Sequence, residues 1–165
     1  MHDAVWTMRE ATSADAETID TMLGELAAST GLPHAKTSHH HDLEAALSAP
    51  NRFLHAIVAA LDGSDVGVCL WFPYYSSWRG RCGIFVQDLY AAPQVRRRGL
   101  GPHLLRAAAR EGARHYGASF IRLAADHSNA GAARFYARIG FQPMDGDRHF
   151  DLDGAGFDAF CGEGT

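Results

Sequence analysis

The chain has little cysteine and no long apolar stretch, and both shortages exclude whole classes of protein. Only three of its 165 residues are cysteine, and their scattered positions suit neither a disulfide framework nor a zinc site. No apolar run approaches the roughly 20 residues that a membrane-spanning helix needs. The first residues lack a basic region followed by an apolar stretch, so we expect no secretion signal. We therefore expect a cytoplasmic protein in which Cys69 is a buried, small apolar residue.

An excess of positive charge is also missing. The formal net charge is -4, with 15 Lys and Arg residues against 19 Asp and Glu residues, whereas nucleic-acid-binding domains are usually basic. The apolar fraction of 47% and charged fraction of 21% are ordinary for a globular protein. No repeat or low-complexity linker marks a boundary, so we expect a single domain over residues 1–165. We expect neither nucleic acid nor membrane as a partner.

Hydrophobic periodicity predicts strands and helices throughout the chain. The predicted elements are a strand over 4–9, helices over 12–28 and 38–47, strands over 53–61, 66–72 and 80–90, a helix over 99–116, a strand over 119–125, a helix over 129–139, and a last hairpin of 141–144 with 149–152, followed by a short helical turn. The two later helices each lie between strands, which predicts β-α-β units and a partly parallel sheet. Earlier hairpins add antiparallel pairs, so the expected fold is α/β (α+β) with a mixed sheet.

The most informative stretch is the basic turn that opens the helix over 99–116. Arg96-Arg97-Arg98-Gly99-Leu100-Gly101 follows a strand that Pro93 ends. A helix N-terminus leaves N–H groups unpaired and carries partial positive charge. Glycine lets a ligand approach the backbone, and arginine adds charged donors. These features predict a phosphate site, while the alternative is a capped helix start with a solvated turn. Pro102, in the first helical turn, contributes no N–H.

At this motif the chain resembles the GNAT superfamily of N-acetyltransferases. Residues 96–101 match the family's Arg/Gln-x-x-Gly-x-Gly/Ala motif, whose amides hold the pyrophosphate of coenzyme A. Residues 129–141 resemble its second coenzyme-binding segment, with an asparagine, a tyrosine and a closing Gly-Phe. The resemblance covers residues 66–141, and segments 74–80 and 87–90 are most similar to the spermidine/spermine acetyltransferase-like branch.

The resemblance implies a fold, a co-substrate and a set of binding residues. The implied fold is a central mixed, mostly antiparallel sheet with helices on both faces. The implied co-substrate is acetyl-CoA, the acceptor is a small-molecule primary amine such as a polyamine or amino acid, and the assembly is a homodimer. The implied coenzyme-binding residues are Leu89, Ala91, Arg96, Arg97, Arg98, Gly99, Leu100, Gly101, Asn129 and Tyr136.

Acetyl transfer from a thioester to an amine requires a proton donor for the departing thiolate and donors for the tetrahedral oxyanion. Tyr136 suits the first task because a phenol is protonated at neutral pH, and it matches the family's general-acid tyrosine. The alternative for Tyr136 is a core position beside Phe135 and Ile139. For the second task the family uses amides freed by a bulge, and Leu89 and Ala91 are the equivalents here.

The general base is less clear from the sequence, because Gln87 stands where the polyamine-like branch has a glutamate and an amide is no useful proton acceptor. Three possibilities remain open. Asp88 acts as base or binds a cationic amine, although strand alternation places it on the opposite face from Gln87. His127 has a suitable pKa range but has a solvated loop position as its alternative. In the third case, water and the free amine equilibrium suffice.

Two further features each have a structural and a functional interpretation. The histidines at 39–41 are expected to be a solvated helix start or to line the acceptor cleft, and we expect no metal there. The aromatic run over 71–78 is expected to pack, to form a dimer contact, or to bind an ammonium group by a cation–π contact. Two rival functions are a non-catalytic acyl-CoA sensor and an acetyltransferase acting on a protein or peptide amine.

Overall fold

One five-stranded sheet organises the first part of the chain. The computed structural model describes residues 6–144 and 150–162, and the chain divides into two units, Met1–Ala125 and Asp126–Thr165. The first unit contains β1 (Thr7–Glu10), α1 (Ala16–Ser29), α2 (His40–Ser48), β2 (His55–Leu61), β3 (Ser64–Ser76), β4 (Arg81–Ala91), α3 (Leu100–Tyr116) and β5 (Ile121–Leu123). The expectation of one domain over residues 1–165 stays a prediction.

The sheet is mixed, as predicted. Its strands lie in the order β1-β2-β3-β4-β5. The first three pairings are antiparallel and β4–β5 is parallel. The parallel pair follows from the position of α3 between these two strands, because a crossover helix returns the chain to the same end of the sheet.

Helices cover both faces of the sheet, so the expected α/β fold is confirmed. Gly67 faces α3 so closely that an added Cβ would lie 2.9 Å from Leu100 Cδ2. Tyr90 pairs with Val68, the next residue of β3, and its hydroxyl donates a hydrogen bond to Glu25 of α1. Adjacent strand residues point to opposite faces, so α1 and α3 lie on opposite sides.

The N-terminal helices begin near the predicted positions. A short 3-10 turn over Ser13–Asp15 precedes α1, and the Thr12 amide donates to the Asp15 carboxylate at 2.8 Å, which satisfies one of the unpaired donors at a helix start. The strand predicted over 4–9 is Thr7–Glu10, and residues 4 and 5 lie outside the described residues. Of the residues described, no helix is long and apolar enough to cross a membrane.

The second unit contains α4 (Ala130–Arg138) and α5 (Gly154–Cys161). Gly140 has φ +97°, a left-handed conformation that favours glycine and ends the helix, as the sequence predicts. The predicted short helical turn of the tail is α5. The predicted last hairpin is not found, because neither 141–144 nor 150–152 forms a strand. Its remaining residues, 145–149, lie outside the described part of the chain.

Candidate functional site

A β-bulge interrupts β4 beside its pairing with β3. Leu70 lies opposite Asp88, and the next residue, Trp71, lies opposite Val86. Gln87 is therefore an extra residue with no opposite partner, which is the arrangement that defines a bulge. The bulge breaks the alternation at this residue, so the strand pattern no longer supports the placement of Gln87 and Asp88 on opposite faces, and that placement stays a prediction. The exposed position of Gln87 is compatible with an unpaired strand residue.

The bulge turns two backbone amides toward an open side of the strand. The parallel ladder between β4 and β5 ends at the pair of Val86 and Leu123. Ala92 N–H donates to the Val66 carbonyl at 2.9 Å, and antiparallel ladders use every second residue for such bonds. Leu89 and Ala91 therefore direct their N–H groups away from β3, toward the side on which β5 has ended. Without the extra residue, Asp88 and Tyr90 would hold these positions.

The basic turn predicted to bind phosphate follows directly on this strand. Residues 96–99 are exposed, and the Arg96 Nε donates to the Ala91 carbonyl at 3.0 Å. Arg97 and Gly99 both have positive φ, 62° and 87°, so the loop adopts a conformation that costs arginine energy. This strain is typical of sites where the backbone is arranged for a ligand.

The start of α3 presents unpaired main-chain donors. No side chain caps this helix, and the described residues provide no backbone partner for the amides of Gly99, Leu100 and Gly101. Leu100 is 2% exposed and fixes the helix start against the sheet at Gly67, whereas Gly101 is half-buried and His103 is exposed. A helix start with free, accessible amides and three adjacent arginines can hold a diphosphate.

Asp88 carries the carboxyl group that precedes the open amide of Leu89 in β4. Its side chain is half-buried, and burial raises the pKa of its carboxyl above the usual range. A carboxylate in that environment gains from a cationic partner, since burying an unpaired charge is costly. The same environment makes Asp88 a better proton acceptor than an exposed aspartate.

The other predicted site residues lie in the second unit. Asn129 caps α4, and its side-chain oxygen accepts a hydrogen bond from the Ala132 amide at 3.0 Å. Tyr136 is half-buried on α4, with ring centroids 5.0 Å from Phe135 and 5.6 Å from Phe141. His127 is exposed, in the loop between β5 and α4. The structure thus groups 88–101 in one unit and these three residues in the other, and their joint role stays a prediction.

A Tyr90–Glu25 pair on the α1 face was not predicted from the sequence. The Tyr90 hydroxyl donates to the Glu25 carboxylate, and burial, followed by the hydrogen bond to Glu25, raises the pKa of Tyr90 to about 12. Since Tyr90 and Asp88 are two residues apart beyond the bulge, both point to this face. No sequence signal could have found the pair, because its two members are 65 positions apart.

One cluster has the composition of a metal site. Ligand atoms of Glu10, Glu111 and His115 lie within 4.8 Å of one another. Both glutamates already form ion pairs with Arg114, and Glu10 also pairs with Arg52 at 3.4 Å. The arginines neutralise the negative charge of the two carboxylates that would bind a cation, so we assign no metal to the cluster.

Comparisons with known proteins agree with one another. A model of the Acetyltransferase (GNAT) family matches residues 20–141. The chain is 33% identical over 145 residues to thialysine N-epsilon-acetyltransferase of Mus musculus, covering 83% of this chain and 84% of the relative. Among solved structures, an integron cassette protein of V. cholerae has a TM-score of 0.74 at 16% identity, covering 94% of this chain and 97% of that one. The aminoglycoside N-acetyltransferase AAC(6')-Iy in complex with CoA has a TM-score of 0.73 at 18% identity, covering 92% and 96%.

Proposed function

This chain belongs to the GNAT family of acetyltransferases, and we propose that it transfers an acetyl group from acetyl-CoA directly to the primary amine of a small molecule. Membership of the family and the named acetyltransferase relatives make it an N-acetyltransferase. The observation that carries the finer proposal is a row of open main-chain donors in the first unit, in two groups. The first group is Leu89 and Ala91, which follow the bulge at Gln87, and the second is Gly99, Leu100 and Gly101 at the start of α3.

The residues of this row fit the co-substrate that the family uses. The open amides at the start of α3, with Arg96, Arg97 and Arg98 around them, would hold the pyrophosphate of coenzyme A. Pro102 lacks an N–H, and the three guanidinium groups supply charged donors in its place. Bound acetyl-CoA supplies an activated acetyl group as a thioester.

Leu89 and Ala91 are proposed to receive the thioester end. Their N–H groups are directed away from β3, and fixed main-chain donors stabilise the oxyanion that forms when an amine attacks a carbonyl. The donors are held by the sheet and need no rearrangement during the reaction. This role requires backbone atoms only, so it places little demand on the two side chains.

Tyr136 is proposed to give its hydroxyl proton to the departing thiolate, with Asn129 placed to bind coenzyme A. Support comes from the residue-by-residue match to the family's second segment and from the half-buried position of the phenol on α4. A phenol has an ordinary pKa near 10, so it is protonated at neutral pH and acts as a general acid.

The incoming amine must lose a proton. Asp88 is our first choice for the group that accepts this proton or assists its loss electrostatically. Its raised pKa and its position next to Leu89 support this choice. His127, exposed in its loop, is the second choice, and water is the third. Gln87 is excluded as a base because an amide has no useful proton affinity.

Small amines are the acceptor class that the relatives support. One relative is named for acetylation of thialysine, and a structural neighbour is an aminoglycoside N-acetyltransferase. We also keep a homodimer and a cytoplasmic location as parts of the proposal. Trp78 is 100% exposed and Tyr75 66% exposed, and exposed aromatic residues suit an interface between copies.

A thiol-release assay tests this function. The full chain is incubated with acetyl-CoA and a panel of diamines, amino acids, aminoglycosides and lysine-containing peptides, and free coenzyme A is measured over time. We expect amine-dependent release with at least one small amine and slow release without acceptor. Binding of acetyl-CoA without transfer to any amine would identify a sensor, and release only with peptides would identify the protein-directed alternative.

A further inference from the structure

The α1 face of the sheet continues beyond α1 as a floor that begins at Asp88. Asp88 lies opposite Leu70, and Phe85 lies opposite Phe72. Leu70 and Phe72 are two residues apart on β3, so they share a face, and directly opposed residues point the same way. Asp88 and Phe85 therefore lie on one face despite the bulge between them. On β5, Arg122 pairs with Phe85.

Aromatic rings form this floor. The rings of Phe53 and Phe72 stack with centroids 5.2 Å apart, and those of Phe72 and Phe85 stack at 5.1 Å. Tyr74 lies 6.3 Å beyond Phe85. Phe53 remains 65% exposed, so the row is not closed off as a core would be. A stacked and accessible aromatic row can hold the carbon chain of a ligand.

Arg122 lies at the far end of the floor with its guanidinium fixed in place. Its Nη1 donates to the Tyr74 hydroxyl at 2.6 Å, and its Cζ lies 4.9 Å from the centroid of the Tyr74 ring. Across the described residues, no carboxylate forms an ion pair with this guanidinium. Arginine has five N–H donors in a planar fork that matches a carboxylate, so donors remain for a ligand.

The charge around Arg122 is positive. Residues 74–85 and 118–123 contain three arginines and no Asp or Glu. Arg79 and Arg81 lie over the Phe120 ring at 4.8 Å and 5.7 Å. A second ammonium group of a polyamine would be repelled here, whereas a carboxylate would be attracted.

We propose that Arg122 determines acceptor specificity by binding a carboxylate, so that the acceptor is an amino acid bearing a primary amine on its side chain. The amine would lie at Asp88 and the carbon chain on the aromatic row. Along β3, Asp88 lies level with Leu70, and Arg122 lies level with Phe72 and contacts Tyr74. Asp88 and Arg122 are therefore two to four strand residues apart, or about 7–13 Å. A lysine-type amino acid spans that distance with a hydrogen bond of about 3 Å at each end. The inference rests on the proposed acetyl transfer.

The test compares acceptors that differ only in the carboxylate. Lysine and cadaverine form one pair, and ornithine and putrescine form a second pair that is one methylene shorter. For the unaltered chain, we expect kcat/KM at least about tenfold higher with the amino acid of the better pair, in keeping with one charge-assisted bidentate contact. Arg122→Gln should remove this preference by raising KM for the amino acid. The kcat/KM for the diamine should stay within about twofold of its original value.

Arg79→Gln is the matched control, because it removes the same charge from the same end of the sheet without touching Tyr74. It should lower the preference for the amino acid by much less than Arg122→Gln does, because it removes only a screened, longer-range attraction and not a direct contact. If Arg122→Gln fails to fold by circular dichroism, Arg122→Lys and Tyr74→Phe replace it. Both should raise KM for the amino acid several-fold and leave KM for the diamine unchanged. Each substitution weakens or displaces the guanidinium contact with the carboxylate and does not alter the groups that perform the transfer.

The outcomes separate this inference from the function on which it rests. If no amine increases the release of coenzyme A above the rate without acceptor, the acetyltransferase proposal itself is contradicted. Efficient transfer to diamines with no preference for the amino acids contradicts only the role of Arg122. The same contradiction follows if Arg122→Gln weakens both members of a pair equally, because such a loss would reflect a general structural effect.

Discussion

His55 should make the stability of this protein fall steeply in mild acid. The imidazole is 6% exposed, stacks on Trp71 with centroids 4.4 Å apart, and shares a hydrogen bond of 2.7 Å with the Tyr116 hydroxyl through Nε2. Its Nδ1 is buried and has no partner among the described residues. Burial, followed by the nearby cations Arg52 and His115, lowers the pKa of His55 from 6.5 to about 4, and Glu111 opposes this only in part.

The sign and size of the effect follow from the two protonation equilibria. Between pH 6.5 and about 4 the unfolded chain binds a proton at this histidine and the folded chain does not. Unfolding therefore becomes easier as the pH falls through this window. Each pH unit of this window lowers the free energy of unfolding by about 1.4 kcal/mol, so the whole window lowers it by about 3 kcal/mol. Above pH 6.5 the contribution is fully present, and below pH 4 no further loss comes from His55.

Urea unfolding followed by circular dichroism, repeated from pH 7.5 to 4, measures the loss. His55→Phe keeps a ring on Trp71 but cannot titrate, so its unfolding free energy should fall by about 3 kcal/mol less than that of the unaltered chain over this range. His34→Gln, at an exposed histidine, serves as the control and should behave like the unaltered chain. Equal pH dependence of the His55→Phe variant and the unaltered chain, or an NMR pKa near 6.5 for His55, would refute the reasoning.

Three shorter predictions concern catalysis and packing. Tyr136→Phe should lower kcat at least tenfold in the thiol-release assay while exposed Tyr75→Phe does not; equal rates would remove Tyr136 as the acid. Gln87→Ala should change kcat by less than about twofold, and a larger loss in the same assay would show that the amide contributes. Gly67→Ala should destabilise the fold by about 1–3 kcal/mol in urea, because its Cβ would lie 2.9 Å from both Leu100 Cδ2 and the Tyr90 carbonyl oxygen. Gly24→Ala, with open space around the added Cβ, should be neutral or stabilising, and a similar loss at both glycines would contradict the packing argument.

The elements with strong local signals could be predicted from the sequence. The helix predicted over 99–116 is α3, Leu100–Tyr116, because its apolar residues recur with helical spacing and glycines flank it. The basic turn before α3 is exposed with free amides, as its composition suggests. Strand β5 is shorter than predicted, at Ile121–Leu123, since its end depends on where β4 stops pairing and not on its own residues.

The features that the sequence did not reveal depend on register between distant segments. The family resemblance implied a bulge in this strand, but its position at Gln87 is visible only when β4 is placed against β3. The Tyr90–Glu25 pair and the Arg122–Tyr74 contact likewise join elements far apart in the chain. Local propensity contains no information about such partners, and the packing of the sheet decides them.

The extra residue in β4 has a consequence for how this protein can vary. A site made of main-chain N–H groups is specified by how many residues precede it in the strand, and hardly by which residues they are. Many side chains should be acceptable at 89 and 91. Proline at either position would remove its N–H, and the loss of one residue just before them would turn both amides toward β3 and give the open side to the amides of Asp88 and Tyr90. Relatives can thus differ freely at these positions and still present the same row of donors, provided that they keep the count.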